Sequence, residues 1–508
     1  LLSGLSAVAS LLVIEFFSLS RIAKLIFGLF ILVSLFLVAS VNFMLVWELV
    51  GLVALFIFIY KISFFSRNDT SDGERPKFPA FSFIVAMISL LFFMSGQFIG
   101  SYLPNHFSLS NTEVSPSFSS TLSVPKDTLK ENPLLGFGPN RFEEMWALYK
   151  PASLNNSIFW DVSFNSGSGL IPTLASTTGI LGILSWLTFF VLFLYSGFKS
   201  LFGNSKNSMY REMLSFFVLA LYLFVASFFY STGPVILLLA LSFTGVFVGL
   251  SVKGEKGEVV VSFLDDHRKS FFFILSLVVV IVLSAAVTFK YIERFASVSY
   301  FRQALQAETL PLAESSISKA LSLNVNDLYM RAYSQVYLVK LSSLLQKNAE
   351  SLSDSEKADL KSSFEQALSG AVGATKYNSR SYVNYQTLGN VYSTAGVLGV
   401  EGAYGEAVKA YETASTLNPL NPGIELSIAR AYLSDKKNKE AKEIANKALA
   451  LKPDYIDAFL LLSQIAKSEG SNSAALSYAE KALSLSPDNK DLKDYVNSLK
   501  DIVPTKEE

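Results

Sequence analysis

The chain contains no cysteine and only two histidines, His106 and His267, in 508 residues. The lack of cysteine excludes a disulfide framework, a thiolate metal site and a cysteine nucleophile. Two histidines are too few for a histidine-rich metal centre. Charged residues are also scarce, at 17% against roughly 25% in soluble domains. We therefore expect no metal site, and because the formal net charge is zero, we expect no nucleic-acid partner.

Apolar residues are abundant instead, at 51% of the chain, and they are concentrated in the first 290 residues. A helix that spans a membrane needs about 20 mostly apolar residues. Eight stretches meet this description: residues 1–19, 25–40, 43–60, 81–103, 170–196, 212–231, 234–251 and 271–290. We predict a polytopic bundle with spans one to four in residues 1–103 and spans five to eight in residues 170–290. Since the chain begins at Leu1 rather than Met, we interpret it as truncated at its N-terminus.

The basic residues are distributed unevenly among the links between these spans. Lysine and arginine follow spans one, three, five and seven, whereas the short links after spans two and six carry no charge. Cytoplasmic loops carry the excess of basic residues, so the odd-numbered links are predicted to be cytoplasmic. The polar loop at residues 104–169 and everything after the eighth span would then lie on the outer side of the membrane.

Two carboxylates lie within the predicted spans, where an ionisable group is costly and often functional. Glu15 is near the cytoplasmic end of span one, and we expect it to reach the membrane interface. Glu48 follows Trp47 deeper in span three. For Glu48 two interpretations stay open: a functional or cavity-lining group, or a neutral, hydrogen-bonded structural one.

Residues 300–503 contain an internal repeat. Three tripeptides recur at intervals of 34 residues: Leu417-Asn418-Pro419, Leu451-Lys452-Pro453 and Leu485-Ser486-Pro487. A period of this length is that of the tetratricopeptide helix pair, and Tyr385-x2-Leu388-Gly389-x2-Tyr392 follows its first-helix pattern. We predict four to five helix pairs over residues 300–487, an insertion at residues 397–402 and a capping helix near residues 488–503. Such arrays bind extended peptides or partner proteins; the alternative is a passive spacer or a dimer contact.

The long outer loop divides into two parts. Residues 107–124 are rich in serine, threonine and proline, and we predict irregular structure there. A short helix should follow, run to about Glu131 and stop before the next proline. Gly136, Gly138 and Pro139 then predict a tight turn in which the backbone can approach a ligand closely. The Gly-x-Gly pattern does not follow a strand, so it does not indicate a dinucleotide site.

Two stretches of this region resemble a known family. The first is residues 132–142, which contain Asn132-Pro133-Leu134-Leu135-Gly136-Phe137-Gly138-Pro139, and the second is residues 174–182, which contain Thr177-Thr178-Gly179. Between them lie Tyr149-Lys150-Pro151, Asn155-Asn156 and Trp160. Together they resemble the O-antigen ligase and polymerase superfamily, in particular the branch with C-terminal tetratricopeptide repeats.

The resemblance implies an all-α fold, in which a GT-C-like transmembrane helix bundle precedes a tetratricopeptide α-solenoid. It implies transfer or polymerisation of glycan from a polyprenyl-pyrophosphate carrier onto a glycan, lipid or protein acceptor. The reaction would take place at the outer face of a bacterial cytoplasmic (inner) membrane. The ligase branch needs neither a nucleotide sugar nor a metal, so no cofactor is expected. The expected partners are the lipid-linked donor, membrane lipid, and a protein or peptide on the repeats.

The sequence departs from the family pattern in two places. Ser168 stands where the ligases have the histidine of a His-Asn pair, so the family's catalytic histidine does not carry over. His106 is at the wrong sequence position to replace it. Val124-Pro125-Lys126 replaces an arginine-rich segment ahead of the motif. These departures leave open that the chain is catalytically inactive.

Diphosphate binding needs fixed cations, and the planar guanidinium of arginine suits phosphate oxygens. Arg141 is the only arginine in the outer loop and is our first choice. Lys126, Lys130 and Lys150 are the candidates to assist it. The alternative is that Arg141 pairs with a neighbouring glutamate in a surface network.

Sugar recognition combines polar side chains with aromatic platforms. The glycan-binding candidates are Tyr149, Asn155, Asn156 and Trp160. The alternative for the tryptophan is anchoring at the membrane interface. An acceptor hydroxyl also needs a general base within hydrogen-bond reach, for which Asp161 is preferred and Glu144 is the second candidate.

These observations favour an envelope glycan ligase or polymerase that uses a lipid-linked donor. One rival hypothesis is a non-catalytic membrane scaffold that presents its repeats for envelope assembly. Another is a transporter of lipid-linked intermediates, which would need a charged central cavity.

Overall fold

The computed structural model describes residues 1–65, 78–95, 98–107, 114–203, 209–252, 266–345 and 353–502. Within these ranges the regular elements are helices, which confirms the predicted all-α class. The chain divides into two compact units. The bundle unit comprises Leu1–Glu143 and Phe164–Val260, and the array unit comprises Glu144–Ser163 and Val261–Glu508.

The bundle unit contains apolar helices that follow the predicted spans, and two further helices between the fourth and the fifth of them. They are α1 (Leu2–Phe16), α2 (Arg21–Val41), α3 (Met44–Tyr60), α4 (Ala80–Met94), α5 (Tyr102–His106), α6 (Phe118–Glu131), α8 (Leu170–Gly203), α9 (Tyr210–Phe229) and α10 (Pro234–Val252). A turn of π-helix, Lys61–Phe65, extends α3, and α7 (Phe142–Tyr149) continues into the array unit. By length and composition, six of the described helices in the chain are apolar enough to cross a membrane, while α1 and α4 are shorter apolar helices.

The core of the bundle unit is an apolar cluster to which α1, α3 and α9 contribute most of the buried residues. The most apolar stretch of α9 is 67% buried inside the protein. This is expected for an interior helix that is apolar on all sides. Polar residues cap both ends of α2. At the start of α2 the Ser20 side chain accepts a hydrogen bond from the amide of Ala23 at 3.2 Å, and after its end Asn42 adopts the left-handed conformation that ends helices.

Two segments differ from the sequence prediction. The fourth predicted span stops at Met94, because Ser95 leaves the helical conformation and a turn leads into the short α5. The segment predicted to be irregular up to residue 124 is helical from Phe118 onward. The Ser117 side chain accepts a hydrogen bond from the Ser120 amide at 3.1 Å, which is an N-cap that the composition of the segment conceals. The end of α6 at Glu131 is as predicted.

The two carboxylates of the predicted spans have different environments. Glu15 is buried within the bundle unit, where it accepts hydrogen bonds from the Lys61 amine at 2.6 Å and the Ser82 amide at 3.2 Å; its position relative to the membrane interface stays a prediction. Glu48 lines an apolar cavity of 490 Å³ between α3 and α4, next to Trp47 and Ser89. Of the two interpretations of Glu48, the structure favours the cavity-lining one.

The array unit consists of helix pairs. Its helices are α11 (His267–Leu305), α12 (Leu310–Leu323), α13 (Asp327–Leu345), α14 (Asp354–Tyr377), α15 (Tyr382–Val397), α16 (Ala403–Leu417), α17 (Pro422–Ser434), α18 (Asn438–Leu451), α19 (Ile456–Ser468), α20 (Asn472–Leu485) and α21 (Lys490–Lys500). The eighth predicted span and the first predicted repeat helix form one continuous helix, α11. No glycine or proline interrupts α11, so nothing in its sequence breaks the helix between the two predicted parts.

Small residues determine how the helix pairs pack. Ala407, Ala441 and Ala475 recur at the predicted interval and are fully buried. A Cβ atom at Gly389 would lie 2.4 Å from the ring of Tyr411, so only glycine lets α15 approach α16 this closely. The predicted insertion forms the link between these two helices.

Candidate functional site

In the bundle unit, residues 132–138 form a strap along α8, and we call them the motif strap. The strap and the helix exchange backbone hydrogen bonds of 2.8–3.2 Å. They run from the amides of Phe137 and Gly138 to the carbonyls of Ser176 and Thr177, and from the amides of Ile180 and Leu181 to the carbonyls of Pro133 and Leu134. The two stretches that carry the family resemblance therefore form one structural element.

The strap repairs a break in α8 at Gly179, where φ is 65° and ψ is −161°. In an intact helix the amides of Ile180 and Leu181 would bond to the carbonyls four residues earlier. Because Gly179 interrupts this ladder, those two amides and the two carbonyls need other partners. The strap supplies all four, so neither the strap nor the broken helix is complete without the other.

Two glycines make this contact possible. A Cβ atom at Gly136 would lie 2.7 Å from the amide nitrogen of Gly179 and 2.7 Å from the carbonyl oxygen of Ser176. A Cβ atom at Gly179 would lie 2.5 Å from the carbonyl oxygen of Leu134. Both glycines also have positive φ, which side chains disfavour. The sequence marks Gly136 as a turn residue and Gly179 only as part of the second family-like stretch, and it gives no sign that the two glycines meet.

The chain then turns at Gly138 and Asn140, both with positive φ, and reaches Arg141. Arg141 is exposed immediately before α7. Two of the other diphosphate candidates, Lys126 and Lys130, are exposed on α6, and Lys130 forms an ion pair with Asp127 at 2.7 Å. These three cations all belong to the bundle unit.

The segment that contains Ser168, at the family's histidine position, is tightly packed. The Ser168 amide donates a hydrogen bond to the Thr121 hydroxyl at 2.9 Å. A Cβ atom at Gly167 would lie 2.2 Å from the Thr121 side chain, and one at Gly169 would lie 2.2 Å from the carbonyl oxygen of Phe228. Ser168 therefore lies between two glycines that let the backbone approach α6 and α9 closely, and its amide is bonded to the Thr121 hydroxyl on α6.

In the array unit, Glu144–Ser163 folds back on itself, and we call it the loop segment. The Trp146 indole donates a hydrogen bond to the Val162 carbonyl at 3.2 Å, and the Lys150 amine donates one to the Trp160 carbonyl at 2.6 Å. Lys150, the fourth diphosphate candidate, is buried. Burial lowers the pKa of its amine to about 8, although the charge of Asp161 acts in the opposite direction.

The glycan-binding candidates lie on this loop segment, and two of them contact the repeats. The Asn155 side-chain amide is buried and donates hydrogen bonds to the carbonyls of Leu420 and Leu451 at 2.8 and 3.1 Å. The Trp160 ring packs edge-on against Tyr455 at 5.5 Å between centroids. The other two candidates are placed as follows: Asn156 is exposed and Tyr149 is half-buried.

The two general-base candidates also belong to the loop segment. Asp161 is exposed. Glu144 accepts a hydrogen bond from the Asn378 side chain at 2.9 Å. Within the part of the chain that the structure describes, no three histidine or acidic side chains are grouped closely enough to hold a metal ion.

A family model of the tetratricopeptide repeat matches residues 401–465, and a second covers residues 456–489. The C-terminal array therefore contains tetratricopeptide repeats, over residues 401–489. Among solved structures, TTC0263, a tetratricopeptide protein of Thermus thermophilus, is 20% identical, with a TM-score of 0.32 over 40% of this chain and 98% of its own. PilF of Pseudomonas aeruginosa is 16% identical, with a TM-score of 0.23 over 41% of this chain and 99% of its own. No curated protein matches the chain.

Proposed function

We propose that the chain is an envelope glycosyltransferase of the O-antigen ligase and polymerase kind. It transfers or polymerises glycan from a polyprenyl-pyrophosphate carrier, at the outer face of a bacterial cytoplasmic membrane, onto a glycan, lipid or protein acceptor. In this proposal all eight predicted spans cross the membrane, six of them as long apolar helices and two as the shorter α1 and α4, and both the outer loop and the repeats lie outside it.

The observation that carries the proposal is the reciprocal bonding of the motif strap and α8. Residues 132–142 and 174–182 carry most of the resemblance to the superfamily, and they are separated in the sequence. A chance match would not require them to complete one another's backbone hydrogen bonds. Their joint structure supports a common, family-like role for both stretches.

The chemistry that we assign is metal-free group transfer. The oxygen of an acceptor hydroxyl attacks the anomeric carbon of the glycan, the bond from that carbon to the pyrophosphate breaks, and polyprenyl pyrophosphate leaves. Arg141, assisted by Lys126 and Lys130, stabilises the negative charge on the leaving diphosphate. Asp161 takes the proton of the acceptor hydroxyl, with Glu144 as the alternative base.

A second candidate is the non-catalytic scaffold, which the tetratricopeptide assignment favours because such arrays bind proteins or peptides. In that case the bundle would only anchor the repeats. The transporter hypothesis stays a prediction, and the cavity beside Glu48 is mainly apolar rather than charged as that hypothesis needs.

The test is a release assay on the full-length protein in nanodiscs. The probe is a synthetic polyprenyl-pyrophosphate oligosaccharide, and free polyprenyl pyrophosphate is measured by mass spectrometry. We expect release by the wild type, a loss of at least roughly tenfold in Arg141→Ala or Asp161→Asn, and partial activity in Arg141→Lys. The matched control, Lys442→Ala on α18, should keep full activity. Release at the same rate by all variants would contradict the roles of Arg141 and Asp161, and no release by the wild type would remove support for the transferase itself.

A further inference from the structure

The loop segment contacts the repeats where second helices of successive pairs end. Asn378 directly follows α14, Leu420 lies just beyond α16, and Leu451 is the last residue of α18. The last carbonyls of a helix have no partner within it. The Asn155 amide donates to one such carbonyl, that of Leu451. The junctions between pairs thus form a row of acceptors and donors along one edge of the array, and the loop segment follows this row.

Lys452 is a charged residue at a repeat position that is uncharged one repeat earlier and one repeat later. The equivalent positions one repeat earlier and later are occupied by Asn418 and Ser486. The Lys452 side chain is nearly buried, and its amine donates to the Asn155 carbonyl at 3.0 Å. It also pairs with Asp454 at 2.8 Å and lies 6.0 Å from the centre of the Trp160 ring. A buried ammonium is costly unless it is paired, so its burial against the loop segment indicates a built contact.

The contact is reciprocal at Asn155. Its side-chain amide gives hydrogen bonds to the array, and its backbone carbonyl receives one from Lys452. On either side of this residue, Lys150 and Trp160 close the base of the loop segment. The tip, a short 3-10 helix at Ala152–Asn156, is therefore fixed both by its own base and by two helix-pair junctions.

We propose that the peptide ligand of this edge of the repeats is the chain's own loop segment, and that Lys452 is the positioning residue that holds it. The array then acts within the chain: it fixes the Asn156–Asp161 stretch in one conformation. The inference rests on the proposed function for the role of Asp161 and Asn156, but the contact itself does not. Partners outside the chain would bind the array on other surfaces.

The contact is tested without catalysis, by hydrogen–deuterium exchange of the full-length protein in nanodiscs. Lys452→Met removes the ammonium, Asn155→Ala removes the side-chain bonds from the other side without altering the array, and Lys442→Met is the control on α18. We expect amides of residues 152–162 to exchange at least roughly tenfold faster in the first two variants, with no change in the control or in peptides from α8 and α9. Unchanged protection in both Lys452→Met and Asn155→Ala would overturn the proposal.

The positioning role is tested in the release assay. Lys452→Arg keeps a buried cation and should retain most of the release, whereas Lys452→Met should lower kcat at least roughly fivefold with a smaller effect on KM. If exchange rises in Lys452→Met while kcat is unchanged, the loop is held but not positioned for catalysis, and that part of the proposal is wrong. If the wild type releases nothing, the proposed function fails, and the exchange experiment still decides the contact.

Discussion

Gly136 and Gly179 are the two residues on which the geometry of the motif strap depends. Both have positive φ. A Cβ atom at Gly136 would lie 2.7 Å from the Gly179 amide nitrogen, and one at Gly179 would lie 2.6 Å from the Gly136 amide nitrogen. A substitution at either position therefore meets backbone rather than a flexible side chain, and the strap has to move.

We predict that Gly136→Ala detaches the motif strap from α8. A residue forced to positive φ costs about 1 kcal/mol or more, and the steric overlap adds to this. The amides of Phe137, Gly138 and Ile180 should then exchange with deuterium much faster, and release of polyprenyl pyrophosphate should fall at least roughly tenfold.

The matched control is Gly245→Ala on α10, where nothing lies within 4 Å of the added Cβ atom and alanine favours the helix. Full protection of the strap in Gly136→Ala would contradict the steric account.

Lys150 makes the stability of the loop segment depend on pH. Its folded pKa is about 8, and an unfolded lysine has a pKa of about 10.4. Between these values the unfolded segment binds a proton that the folded one lacks, so the free energy of unfolding rises with pH across this window. Asp161 is the charged group that opposes this shift.

We predict that Lys150→Met removes most of the rise in the free energy of unfolding with pH. At pH 7 the substitution should be neutral or stabilising. The measurement is urea unfolding between pH 7 and 10, followed by Trp146 and Trp160 fluorescence with Trp47 and Trp186 replaced by phenylalanine. Parallel pH profiles of Lys150→Met and its parent would show that the buried amine is not the cause.

At the scale of helices, one ion pair links three elements of the bundle unit. Glu15 at the end of α1 accepts hydrogen bonds from Lys61, after α3, and from Ser82 on α4. Removing one member of a buried pair leaves the other charge without compensation and costs about 3 kcal/mol.

We predict that Lys61→Met destabilises the bundle unit more than the double variant Lys61→Met/Glu15→Gln does. Thermal unfolding in detergent measures both, and Lys24→Met on the exposed face of α2 is the control. An equal decrease of the unfolding temperature in the single and double variants would mean that Glu15 is stabilised without Lys61.

The helices themselves could largely be predicted, because apolar runs and the 34-residue period are local signals. Less local features could not. The break in α8 depends on a strap from another part of the chain, and composition alone does not reveal that Ser117 caps α6. The end of α4 and the continuity of α11 were missed because hydropathy marks apolar length and not helix ends.

At the scale of the whole molecule, the outer loop is divided between the two units. Arg141 belongs to the bundle unit, whereas Asn155, Trp160 and Asp161 belong to the array unit. The sequence led us to expect the loop's polar and aromatic residues to bind glycan. It could not indicate that Asn155 bonds to Leu420 and Leu451, because such long-range contacts leave no periodic pattern.

The central claim is that the bundle unit handles a polyprenyl-pyrophosphate glycan, and its most direct test is mass spectrometry of lipids that co-purify with the complete gene product in mild detergent. Wild type, Arg141→Ala and the control Lys442→Ala are compared. The account predicts bound carrier in the wild type and the control, and its loss in Arg141→Ala. Carrier bound equally by all three would contradict the assignment of Arg141, and no carrier in any of them would contradict the transferase itself in favour of the scaffold.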